Sequence, residues 1–213
     1  MNQEIKPAAQ ARSRATRDKL IAAFEDLLAE KYFDQITVAE IAERAGVAVG
    51  TVYRRFKNKE AFIPVMLEQQ RIRQEAMLSD PKARLEISDD ATLHDALRAI
   101  AHYAWKQTKK EAHVIRTLYL FARLRPEIVS EGWNILEDQG LVQIKALVDH
   151  YSDEINRTDL DKASIMIFYF FNSILIERGL FGDLSPEFLA DFDEEEFADE
   201  VADFAYGYLM TED

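Results

Sequence analysis

Residues 37–62 read TVAEIAERAGVAVGTVYRRFKNKEAF. Thr37 and Glu40 form a capping box, the hydroxyl accepting from the third amide and the carboxylate reaching back to the cap amide. The helix this opens carries Val38, Ile41, Ala42 and Ala45 on one side. Gly46 then stands where a left-handed residue ends a helix, and Val47 and Ala48 complete a turn. A further short helix is predicted from Val49 to Phe56, with Val52 and Phe56 facing inward, and Asn58 caps the helix after it. Two short helices joined by a glycine-containing turn are a helix-turn-helix. Ala48 to Lys59 contains no acidic residue, which suits a helix that enters a major groove.

Upstream, residues 1–15 are polar and aperiodic and are expected to form a flexible basic arm. Arg12, Arg14 and Arg17 suit the negative potential of a minor groove. A first helix is predicted from Thr16, with Leu20, Phe24, Leu27 and Leu28 as its apolar stripe. Downstream, Phe62, Val65, Met66 and Leu67 lie on a connecting helix over about 59–78, and 82–90 is a polar linker. Further helices are expected at 91–108, 111–124, 127–151, 160–179 and 187–209, with Pro126 and Pro186 at helix starts and Gly179 and Gly182 as stops. The chain therefore reads as all-α. Its expected division is an arm (1–15), a helix-turn-helix domain (16–60) and a larger helical domain (61–213).

Composition agrees. Among 213 residues there are 7 Gly and 5 Pro, too few breakers for many short strands, and no Cys, which excludes disulfides and thiol chemistry. The net charge of −13 is unevenly spread: residues 1–75 carry +2 and residues 76–213 carry −15. The longest charge-free apolar run, Ala163–Ile176, is short of the roughly 20 residues a membrane span needs. Without an apolar leader, a cytoplasmic protein with no membrane partner is expected. His94, His102, His113 and His150 show no metal-ligand spacing, and no hydrolase, P-loop or dinucleotide motif occurs. No catalysis, metal or cofactor is expected. The run Asp193, Glu194, Glu195, Glu196, Asp199, Glu200, Asp203 reads as a solvated helix face.

Thr37–Phe62 resembles the DNA-binding region of the TetR family of bacterial regulators, matching the run from the capping threonine through A-G-V and G-T-V-Y to F-K-N-K-E. Ala48 and Arg55 depart from residues common there. The resemblance implies a double-stranded DNA operator as partner, a small-molecule effector and a homodimer. Thr37, Thr51, Tyr53 and Lys59 would meet phosphates, and Gly50 would let the helix approach closely. Val49, Arg54 and Arg55 are candidates for base edges, the arginines alternatively for phosphate alone. A repressor released by its effector is the expected function. A helical effector-binding or scaffold dimer without sequence-specific DNA binding is the alternative.

In the second part, Ala163–Ile176 is apolar on nearly every face, so a partner is expected to cover it. Ile167, Phe170 and Ile174, with Phe204 and Tyr208 of the last helix, are the expected dimer interface. Two helices from each chain would form a four-helix bundle, and the two-fold axis implies a palindromic operator. Trp105, Tyr119 and Asn172 are candidate effector contacts, suiting an apolar or aromatic molecule.

Overall fold

The computed structural model describes residues 5–79, 87–88, 90–182 and 193–212. Among them every regular element is a helix. The α-helices are α1 (Ile5–Glu30), α2 (Val38–Arg44), α3 (Val49–Tyr53), α4 (Ile63–Ser79), α5 (Leu93–Lys110), α6 (Ala112–Leu124), α7 (Pro126–His150), α8 (Leu160–Phe181) and α9 (Glu194–Leu209). Most of the expected linker lies outside the described residues, as do Pro186 and residues 187–192.

The chain forms two compact units. One comprises Met1–Ile72 and Arg116–Gly132, the other Arg73–Ile115 and Trp133–Asp213. The end of α6 and the start of α7 thus belong with the N-terminal helices, and the compact units do not follow a linear division at residue 60.

In the first unit, Leu20, Phe24 and Leu28 of α1 are buried with Ile41, Val52, Phe62 and Met66. Phe62 stacks on Phe56 at 3.8 Å between ring centroids and lies 4.9 Å from Phe24. Each such buried side chain contributes about 1.5–3 kcal/mol. Phe33 meets Phe121 of α6 edge-on at 4.8 Å, Arg116 lies over the Tyr32 ring, and Arg125 pairs with Glu60 at 2.9 Å. These contacts are why residues 116–132 join this unit.

α1 corrects the expectation of an arm over 1–15 followed by a helix capped at Thr16. The helix is already formed at Ile5. Ala8, Ala9, Gln10, Ala11 and Arg12 are strong helix formers, and Pro7 falls in the first turn, where no intrahelical donor is needed. Thr16 sits within the helix, its hydroxyl donating to the Arg12 carbonyl at 2.9 Å.

In the second unit, α5 packs against both α8 and α9. Leu93, Leu97, Ala101 and Trp105 of α5 meet Ala163, Ile167, Phe171 and Leu175 of α8 and Ala198, Val201, Ala205 and Leu209 of α9. Alanines at the contact allow the helices close approach. Thr92, Asp159 and Asp193 cap α5, α8 and α9 through side-chain acceptors. Along α5 and α9 runs a row of ion pairs: His94 with Asp203 (2.6 Å), Arg98 and His102 with Asp199 (2.6 and 2.8 Å), and Lys109 with Glu194 (2.9 Å). The acidic face of α9 is thus partly paired with α5 rather than wholly solvated.

Gly179 does not stop its helix. It lies inside α8, where an added Cβ would stand 2.5 Å from Thr108 Cγ2 of α5. α8 is 22 residues long and by length and composition alone long enough to cross a bilayer. One of its faces nevertheless belongs to the core shared with the charged helices α5 and α9.

Candidate nucleic-acid interface

α2, its turn and α3 are built by local rules. The Thr37 hydroxyl accepts from the Glu40 amide at 3.2 Å, and the Thr37 amide donates to Glu40 Oε2 at 2.7 Å. Lys31 pairs with the same carboxylate. Lys31 first, then the Thr37 amide, pull the Glu40 carboxyl from its ordinary 4.5 down to about 2. At the other end, Gly46 has φ +66°. Its amide donates to Glu43 O at 3.0 Å, and the Val47 amide donates to Ala42 O at 2.9 Å. This pair of bonds is a Schellman motif, and it aims the chain into α3.

α3 buries only Val52. Phe56, just beyond it, is also buried. The helix ends at Tyr53 rather than Phe56, because Arg54 and Arg55 turn toward the next segment. Val49 is 41% exposed and Tyr53 56% exposed. Gly50 has open space where a Cβ would stand, so another molecule's backbone can approach there. Arg54 is exposed and donates from Nη2 to Thr51 Oγ1 at 2.9 Å. Arg55 is half-buried. Arg12, Arg14 and Arg17 are exposed along α1. Val49, Gly50, Thr51, Tyr53 and Arg54 therefore share one short solvent-facing element that carries no acid.

Two expected phosphate contacts are differently engaged. The Lys59 ammonium donates to the Phe33 and Ile36 carbonyls at 2.6 and 2.8 Å and sits 4.2 Å from the Phe33 ring centroid. Burial pulls its pKa below the ordinary 10.5. The Thr37 hydroxyl and amide are both engaged with Glu40. Neither arrangement carries a signal in residues 37–62, since Lys31 and Phe33 lie outside that stretch.

Residues 20–64 match the family of bacterial regulatory proteins named for TetR. The chain belongs to the TetR family. The HTH-type transcriptional regulator YdeS of Bacillus subtilis is 31% identical over 139 residues, a match covering 65% of each protein. YvkB of the same organism is 38% identical over 56 residues, covering 26% of this chain and 30% of YvkB. The matches thus span less than two thirds of these relatives. Among solved structures, a TetR-family regulatory protein from Rhodococcus RHA1 aligns with TM-score 0.65 at 16% identity, covering 93% of this chain and 98% of that one. NalD of Pseudomonas aeruginosa, the secondary repressor of the MexAB-OprM multidrug efflux pump, aligns with TM-score 0.61 at 21% identity, covering 94% and 98%. These likenesses show a TetR-family fold.

The remaining candidates of this TetR-family chain scatter. Trp105 is buried in the second unit's core, beside Phe197 and Lys109. Asn172 is half-buried on α8 in the same unit, whereas Tyr119 belongs to the first unit, beneath Arg123. Ile167 is 1% exposed within the single chain, which corrects its assignment to a dimer interface. Phe170, Ile174 and Tyr208 are half-buried and Phe204 is 67% exposed, with Phe170 and Phe204 stacked at 4.8 Å. Ile165, Met166 and Tyr169, not singled out from sequence, are exposed on α8. Their signal was the three- and four-residue spacing within an all-apolar run.

Proposed function

We propose that the protein is a DNA-binding transcriptional regulator that acts as a homodimer on a palindromic operator. The observation that carries this is the acid-free, solvent-facing surface of α3, set by a capped α2 and a Schellman turn in a chain of −13 net charge. A negative protein binds DNA only where its local field is positive. Val49, Tyr53 and Arg54 face the groove, with Arg54 or Val49 at base edges. Arg12, Arg14 and Arg17 add charge along α1.

Exposed Tyr169, Met166 and Phe204, with stacked Phe170 beside them, form an apolar patch on α8 and α9 that supports pairing with a second copy. Phe204 and Tyr208 keep their expected places in that interface, with Phe170 and Ile174 at its edge. Family membership supports a repressor in the cytoplasm, without enzymatic activity, released by a small apolar or aromatic effector. The effector acts through its differential affinity for two states, and α4, whose chain runs from the first unit into the second, is the route.

Selection of duplexes from a random pool by the purified protein tests the reading. An inverted repeat with half-site centres about one helical turn apart is expected. A pool without enrichment contradicts it.

A further inference from the structure

Lys59 opens the short 3-10 turn Lys59–Phe62, directly after the chain leaves α3. Its Nζ crosses to the connection between α1 and α2. There it donates to Phe33 O at 2.6 Å and Ile36 O at 2.8 Å, lies 3.5 Å from Asp34 O, and covers the Phe33 ring face. Ile36 immediately precedes Thr37, the cap of α2. Phe33 is itself fixed edge-on against Phe24 and Phe121.

The ammonium has three donors and no acceptor. Two close bonds and a ring face occupy its inward side, so reaching a phosphate would require abandoning both carbonyls. The side chain thereby ties the chain that leaves α3 to the chain that enters α2. Between these two points lies the whole helix-turn-helix. The Schellman turn fixes α3 at its N-terminal side, and the Lys59 tie fixes it beyond its C-terminal side.

We propose that Lys59 is a positioning residue that sets how α3 is presented to DNA, and that it makes no phosphate contact. The proposal rests on the reading of α3 as the DNA-reading helix. A phosphate lysine would contribute one released counterion and equal affinity on every sequence. A positioning lysine contributes to the selected sequence and leaves the counterion count alone.

The test uses the full chain and two duplexes, one selected from a random pool by the wild-type protein and one unselected. Lys59→Met keeps the hydrocarbon stem and removes the donors. Lys59→Arg keeps the charge, but a planar guanidinium cannot place the same point charge between two carbonyls. Both variants are assayed at a temperature where circular dichroism shows them folded. Lys59→Met is expected to lose about tenfold or more on the selected duplex and little on the unselected one, with an unchanged slope of log K against log salt, and Lys59→Arg is expected to recover only part. A slope that flattens by about 0.9 in Lys59→Met, with full recovery by arginine, makes Lys59 a phosphate contact and overturns the proposal. Lowered melting with unchanged affinity of the folded protein reduces Lys59 to a stabilising residue and also overturns it.

A second measurement needs neither DNA nor a variant. The Lys59 ammonium is expected to give a slowly exchanging 15N–1H correlation in the wild-type protein. Exchange as fast as that of the other lysines overturns the proposal. If the wild type selects no duplex, the DNA-reading premise fails, and a slow ammonium signal then separates that failure from a failure of the tie.

Discussion

Arg54 donates to Thr51 from its own helix, so its guanidinium is held along the exposed edge of α3 instead of sweeping through solvent. A held arginine loses less entropy when it meets a guanine edge, and a bidentate contact is worth about 1–3 kcal/mol of discrimination. Arg54→Ala is therefore expected to weaken the selected duplex roughly 10- to 100-fold by that same contact energy and random duplex much less. Competition titrations of the two duplexes check this, and equal losses would assign Arg54 to phosphate alone. Glu40 gives a prediction in pH. Its carboxyl is depressed from 4.5 to about 2 by Lys31 and by the Thr37 amide, so its bonds stabilise the fold fully above pH 4.5 and are lost as pH falls through about 2. Glu40→Gln should flatten the acid limb of the melting profile across that window, as followed by circular dichroism. The cap itself was legible because Thr37 and Glu40 lie three residues apart. The role of Lys59 was not, because its partner Phe33 lies 26 residues away and joins it only through the tertiary fold.

At the scale of elements, two glycines separate folding from contact. Gly46 has φ +66°, so Gly46→Ala is expected to destabilise the protein by about 1–2 kcal/mol through backbone strain alone. Gly50 has an ordinary helical backbone and open space beside it, so Gly50→Ala should keep or raise the melting temperature while weakening DNA binding. Denaturant titration and DNA titration of both variants distinguish the two roles. Local patterns of this kind made α2, the turn and α3 readable to within a few residues. The start of α1 was not readable: no capping residue marks Ile5, and arginines within a helix look like those of an arm. α8 failed differently. Where nearly every position is apolar, composition cannot say which face is inward, and the structure alone separates buried Ile167 from exposed Tyr169.

At the scale of the molecule, the apolar patch of Tyr169, Met166 and Phe204 lies in a unit otherwise rich in acidic residues. A single glutamate there desolvates badly against a second copy but costs the lone chain little, since Phe204 is already 67% exposed. Phe204→Glu is expected to shift the protein from dimer to monomer in sedimentation velocity without lowering its helicity. A dimer of unchanged strength would place the interface elsewhere. The allocation of residues 116–132 to the first unit also belongs to this scale. It arises from Phe121 meeting Phe33 and Arg125 meeting Glu60, pairings that no linear reading of the chain contains.

The most direct test of sequence-specific DNA binding is titration of the wild-type protein against the DNA upstream of its own coding sequence and against random duplex, across a salt series. Tighter, palindrome-dependent binding to the upstream DNA is expected, with log K falling steeply as log salt rises because several phosphates are neutralised. Equal affinity for both duplexes at every salt concentration would contradict a DNA-reading role at that site. A shallow slope as well would leave a helical dimer whose α3 reads no sequence.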